Sequence, residues 1–122
     1  MTKRILIADD SGSIREMLAF VLTQAGYEVL SVQDGREALD KAQAFSPHLV
    51  ITDLNMPNLN GIELVKNLRG MTNFRFTPIL VLTTEGQDEK KQAGKAAGAT
   101  GWLVKPFKPE KLLAVVGKVL PN

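Results

Sequence analysis

The sequence predicts an α/β fold with a parallel sheet, because five short apolar runs alternate with five amphipathic stretches from one end of the chain to the other. The first run, Arg4-Ile5-Leu6-Ile7-Ala8, is continuously apolar, the mark of a strand buried on both faces. Connections between parallel strands are right-handed, which places the intervening helices on both faces of the sheet.

Each element has its own signal. After the first strand, Ile14, Met17, Leu18, Val21 and Leu22 recur at helical spacing, and Gly26 supplies a stop. Tyr27 to Val32 reads as the second strand. Asp34 is placed to cap a helix whose apolar side is Ala38, Leu39, Ala42 and Phe45. Pro47 then punctuates, and His48 to Asp53 is the third strand. A loop with Asn55, Pro57 and Asn58 follows, and Asn60 caps a helix through Leu64, Val65 and Leu68. Pro78 opens a fourth strand, Ile79 to Thr83. The stretch Gln87 to Ala97 is helical but weakly apolar, which predicts a loosely anchored element. Gly98 and Gly101 bracket a short fifth strand, Trp102 to Val104, and the last helix uses Leu112, Leu113, Val116, Val119 and Leu120.

Composition narrows the function classes. A length of 122 residues fits a single domain, and a chain of this size buries roughly two-thirds of its unfolded surface without staples. Cysteine is absent, which removes disulfides, thiol catalysis and thiolate-bound metals and suits a cytoplasmic protein. Only four apolar residues separate Arg4 from Asp9, too few for a signal peptide, and no run approaches a membrane span. Net charge is +2, but from Glu85 onward seven lysines stand against four acidic residues. Neither an arginine cluster nor stacking aromatics accompany them, so nucleic acid is not the expected partner.

The carboxyl ends of the strands collect the chemistry. Strand one ends in Asp9-Asp10, strand three in Asp53, strand four in Thr83 and strand five in Lys105. Ligands of open α/β sheets bind outside those ends. Three converging carboxylates repel one another and raise their pKa values unless a cation neutralises them. With oxygen ligands and a single histidine, His48, the expected ion is Mg²⁺, for which Mn²⁺ could substitute. Mg²⁺ commonly completes its shell with a phosphate oxygen, which motivates phosphoryl transfer. Asp53 would be the nucleophile, Lys105 would offset charge and Thr83 would offer a hydroxyl. His48 reads as a bystander at a strand entrance.

Asp9-Asp10-Ser11, Asp53 at the end of an apolar strand, Met56-Pro57, Gly61, Thr83 and Lys105-Pro106-Phe107 together resemble the response-regulator receiver domain across the whole chain. The stretches Leu82 to Glu85 and Ala97 to Phe107 are similar to stand-alone chemotaxis receivers of the CheY type. The resemblance implies a strand order of 2-1-3-4-5, with residues 1–122 as one receiver domain. It implies Asp53 as phosphoacceptor, and Asp9, Asp10, Asp53 and the main-chain carbonyl of Asn55 as metal ligands. It also implies Thr83 and Trp102 as switch residues, Lys105 as the phosphate-pairing lysine and a cis Lys105-Pro106 bond. Asn55, Thr84 and Glu85 would tune the lifetime of the phosphorylated state. A histidine kinase of the CheA type would donate the phosphoryl group, and a phosphatase could remove it. The output face would hold Lys90, Lys91, Lys95, Trp102, Lys108 and Lys111, suited to an acidic peptide, with the flagellar motor switch as the implied target. The expected state is a monomer with no separate enzymatic turnover.

Three rivals bear on the same residues. A Mg²⁺-dependent aspartyl-phosphate hydrolase wants a second acid two residues after its nucleophile, where this chain has Asn55. A flavodoxin-like carrier needs an acid-poor phosphate loop where Asp9-Asp10 stands. A receiver in a relay or another chemosensory pathway would carry the same residues as a motility receiver.

Overall fold

Strands and helices alternate along the whole chain in the computed structural model, which describes residues 2–84 and 88–120. Strands β1 (Arg4–Ala8), β2 (Glu28–Val32), β3 (Leu49–Asp53), β4 (Ile79–Thr84) and β5 (Gly101–Lys105) pair in parallel in the order β2-β1-β3-β4-β5. Position in the sheet explains composition. In the three inner strands, residues 5–8, 49–52 and 79–83 are all buried, so each reads as a continuous apolar run. The edge strands β2 and β5 are only partly covered and carry Glu28, Ser31 and Trp102.

Side chains alternate between the two faces of each strand and so build two cores. Helices α2 (Gly35–Phe45), α3 (Gly61–Arg69) and α4 (Asp88–Ala97) cover one face. There Ala42, Leu64 and Leu68 meet Leu6, Val50 and Val81. Helices α1 (Gly12–Gln24) and α5 (Pro109–Val119) cover the other, where Leu22 and Leu112 meet Ile7, Ile51 and Leu82. No helix among the described residues is long and apolar enough to cross a membrane.

The helix starts are fixed by side chains that satisfy otherwise orphaned amides. Ser11 accepts from the amide of Ile14 at 3.4 Å, and Asp34 accepts from that of Glu37 at 2.8 Å. Asn60 and Glu63 exchange bonds at 2.9 and 3.0 Å, a reciprocal box that seats α3 immediately after the loop leaving β3.

Boundaries shift where hydrogen bonding, not apolarity, decides them. β5 runs from Gly101 to Lys105 because its register against Leu80 to Thr84 extends past the apolar residues. His48 lies just outside β3, although its amide donates to the carbonyl of Arg4 at 2.7 Å. The helix expected from Gln87 begins, among the described residues, at Asp88. A short 3-10 turn at Thr72–Phe74 was not anticipated; it buries Phe74 against the α3 face.

Candidate functional site

The order of the strands brings the ends of β1 and β3 side by side, and with them three carboxylates. Asp9, Asp10 and Asp53 each place one carboxylate oxygen within 4.8 Å of the other two. Asp9 is fully buried, Asp53 is half-buried and Asp10 is exposed. From the end of β5, the Lys105 ammonium reaches Asp9 Oδ2 at 3.0 Å and Asp53 Oδ2 at 3.5 Å. The Lys105–Pro106 peptide bond that follows is cis.

Local backbone geometry holds these groups in place. Asp9 Oδ1 accepts from the amide of Ser11 at 2.9 Å, and the Asp9 carbonyl accepts from the Arg15 guanidinium at 2.6 Å. Asp53 Oδ1 accepts from the amide of Leu54 at 2.8 Å, while the Thr52 hydroxyl donates to the Asp53 carbonyl at 2.8 Å. Gly61 is required behind the carboxylate: its amide bonds the Leu54 carbonyl at 3.0 Å, and a Cβ there would collide with the Asp53 carbonyl oxygen.

Electrostatically the pocket is short of positive charge. Burial pushes the Asp53 carboxyl above its ordinary value; Lys105 opposes this, Asp9 adds to it, and the Leu54 amide opposes it again. A hard divalent cation fits the donor set, because three carboxylate oxygens converge with a single ammonium to offset them. The second feature that fits a ligand is Thr83. Its hydroxyl is buried and, among the described residues, has no hydrogen-bond partner. An unpaired buried hydroxyl costs stability, so it is available to an oxygen-rich group arriving in the pocket.

The remaining predicted residues lie around this centre. Trp102 pairs in register with Val81, which puts it on the same sheet face as Thr83. Trp102 is 42% exposed, with the Lys91 ammonium 5.8 Å from its ring centroid. A groove of about 540 Å³ beside it is lined by Trp102, Leu103, Val104, Pro106, Phe107, Lys108, Glu110 and Lys111. Lys95 is exposed on α4. Lys90 instead turns to the loop after β3 and donates to Asn55 Oδ1 at 2.6 Å. Thr84 is exposed at the end of β4, and Glu85 lies outside the described residues.

Two contributors escaped the sequence reading. Arg15 sits one turn into α1, so a side chain pointing back toward the helix start could have been anticipated. The contact between Lys90 and Asn55 spans 35 positions and carries no local signal.

The response regulator receiver domain model matches residues 5–117. The chain belongs to the response regulator receiver family. This receiver is 54% identical to the chemotaxis protein CheY4 of Vibrio cholerae, with a TM-score of 0.94, covering 98% of this chain and all of that one. It is 40% identical to the alkaline phosphatase synthesis transcriptional regulatory protein PhoP of Bacillus subtilis over 98% of its length but only 49% of PhoP. The chain therefore spans about half the length of the curated transcriptional regulators it matches. It is also similar, at 25% identity and a TM-score of 0.91 over the full length of both chains, to the receiver domain of the Pseudomonas aeruginosa sensor histidine kinase PA1611, solved with a magnesium ion coordinated in its active site cleft. The chain is thus a receiver domain of the two-component type, similar to CheY-type signalling proteins, which are not classical enzymes.

Proposed function

We propose that this receiver takes a phosphoryl group from a histidine kinase onto Asp53 and thereby changes what binds its α4–β5–α5 face. The observation that carries the reading is the half-buried Asp53 carboxylate set among Asp9, Asp10 and Lys105, beside the buried hydroxyl of Thr83. A carboxylate oxygen of Asp53 forms a bond to phosphorus as the phosphorus–nitrogen bond of a phosphohistidine breaks. The imidazole nitrogen leaves with the electron pair. The carboxylate attacks in its ionised form, so no general base is required.

Lys105 pairs with a phosphoryl oxygen, releasing part of its hold on Asp9, and Thr83 donates its hydroxyl to another. Asp9, Asp10 and Asp53, with the main-chain carbonyl of Asn55, are the residues that would hold Mg²⁺ or Mn²⁺. When bound, that ion neutralises charge on the transferred oxygens. The magnesium in the PA1611 receiver supports this assignment. Thr84, exposed next to Thr83, and Asn55 then adjust access to the phosphoryl group.

Movement of Thr83 toward the phosphoryl group frees space on its sheet face, and Trp102 turns inward from its exposed position. That repacks the groove beside Lys91, Lys108 and Lys111, where an acidic segment of a partner docks. Likeness to CheY4 supports a chemotaxis role, with a CheA-type kinase and the flagellar motor switch as partners and a phosphatase resetting the state. The match to half of PhoP favours a second reading, a receiver serving another pathway. In either case we read residues 1–122 as one cytoplasmic, monomeric receiver domain that neither binds nucleic acid nor enters a membrane.

The test is intact mass and Trp102 fluorescence after acetyl phosphate with Mg²⁺, against Asp53→Asn. One phosphoryl adduct and a fluorescence change, both absent in the variant, are the expected outcome. An adduct that persists in Asp53→Asn would move the acceptor elsewhere.

A further inference from the structure

Lys90, grouped by sequence with the lysines of the output face, reaches instead to the loop that follows Asp53. Its ammonium donates to Asn55 Oδ1 at 2.6 Å, and both residues are exposed. Asn55 stands two positions after Asp53 on a loop whose other anchors are already in use. The Leu54 amide is taken by Asp53 Oδ1, the Leu54 carbonyl by Gly61, the Asn58 amide group by Asp34 and the Asn60 side chain by the amide of Glu63. Of the loop's polar side chains, Asn55 therefore has its carbonyl oxygen engaged by a different helix, α4.

An exposed pair of this kind adds little to folding. Its consequence lies in what it occupies. Water that hydrolyses an aspartyl phosphate approaches phosphorus from the side opposite the Asp53 oxygen, which is the solvent side of the strand ends. A carboxamide oxygen on the rim is a neutral acceptor able to hold that water. With Lys90 bound, one of the oxygen's two lone pairs is occupied by an ammonium that cannot itself accept a proton or a hydrogen bond, and the carboxamide is held toward α4.

We propose that Lys90 is a positioning residue that holds the Asn55 carboxamide away from water and so lengthens the life of the phosphorylated state. The inference rests on the assignment of Asp53 as phosphoacceptor. It also makes α4 a participant in the timing of the signal, since loosening α4 releases Asn55.

The test is the first-order loss of the phosphoryl adduct after removal of acetyl phosphate, followed by intact mass. Lys90→Met should shorten the lifetime about two- to fivefold, the scale of an exposed charged contact, and Lys90→Arg, which keeps the donor, should restore it. In an Asn55→Ala background, Lys90→Met should make no further difference. An unchanged lifetime in Lys90→Met, or the same shortening with Asn55 already removed, would overturn the proposal while leaving Asp53 as acceptor. Absence of any adduct on the unsubstituted chain would overturn both.

Discussion

Helix α3 enters its sheet face through four buried residues, Gly61, Leu64, Val65 and Leu68, whereas α4, next to it on the same face, buries only Gly94. A reciprocal cap fixes the start of α3, and Arg69 at its end donates to the carbonyls of Phe74, Thr77 and Gly98 at 2.7, 2.6 and 2.9 Å. Ala97 packs against the core at the end of α4, and the polar side chains described for α4 reach other elements through the exposed bond from Lys90 to Asn55 and the approach of Lys91 to Trp102. Both helices reach the neighbourhood of the acidic pocket, α3 through the loop from Asp53 and α4 through the bond from Lys90 to Asn55. On the proposed function, α3 would hold Asp53 still while α4 would be free to respond to it. A switch needs both, since a displaced acceptor does no chemistry and a rigid neighbour transmits nothing.

Alanine placed at the one buried glycine of α4, and at its counterpart at the start of α3, should separate these roles with opposite signs. Gly61→Ala drives a methyl group into the Asp53 carbonyl and the Leu54 backbone, neither of which can yield without moving the carboxylate. The expected loss is about 3 kcal/mol or more, read from the urea midpoint, together with loss of phosphorylation. Wild-type stability in this variant would mean that the α3 junction is not rigid.

Gly94→Ala should act the other way. A Cβ there would meet the methyl groups of Val81 at 3.7 and 3.9 Å, which is ordinary contact. Helical propensity then favours alanine by about 1 kcal/mol. Amide exchange in α4 should slow accordingly, and the phosphorylation-induced change in Trp102 fluorescence should shrink as α4 becomes harder to move. Slower exchange with an undiminished response would separate α4 from the switch.

How much of this contrast was legible in the residues follows from the physics of each element. Leu64, Val65 and Leu68 announce α3 through their spacing, and Asn60 with Glu63 announces its start. The alanines and lysines of α4 announced weakness by the same reasoning. Strand ends at Asp9, Asp53 and Lys105 were also visible, but their convergence depends on strand order, which no local pattern encodes and which came from resemblance to the family. The 3-10 turn escaped because the carbonyl of Phe74 at its end is satisfied by Arg69, a partner outside the segment. Lys90 was grouped with the output lysines because charge clustering says nothing about direction.

The smallest effect tests whether the far end of the sheet matters to either helix. His48 Nδ1 accepts from the amide of Arg4 at 2.9 Å, and Arg4 Nε in turn donates to the carbonyls of Phe45 and Ser46 at 2.8 and 3.0 Å. Burial, then the charges of Arg4 and Lys3, hold the imidazole pKa below its ordinary 6.5. The unfolded chain therefore binds a proton that the folded one resists. His48's contribution is fully present above the ordinary value and is lost as pH falls through the depressed one. Asp53, raised by burial, has the opposite sign, and its contribution starts to change only from the carboxylate range upward. Because His48 is partly exposed, the loss on acidification should be about 0.5 kcal/mol. His48→Gln should flatten the stability profile just below neutrality by that amount and leave amide exchange in α3 and α4 unchanged. A change in α4 exchange across the same pH interval would mean that its weak anchoring extends through β1 and β3 to the entry side of the sheet, and that the contrast with α3 is not local.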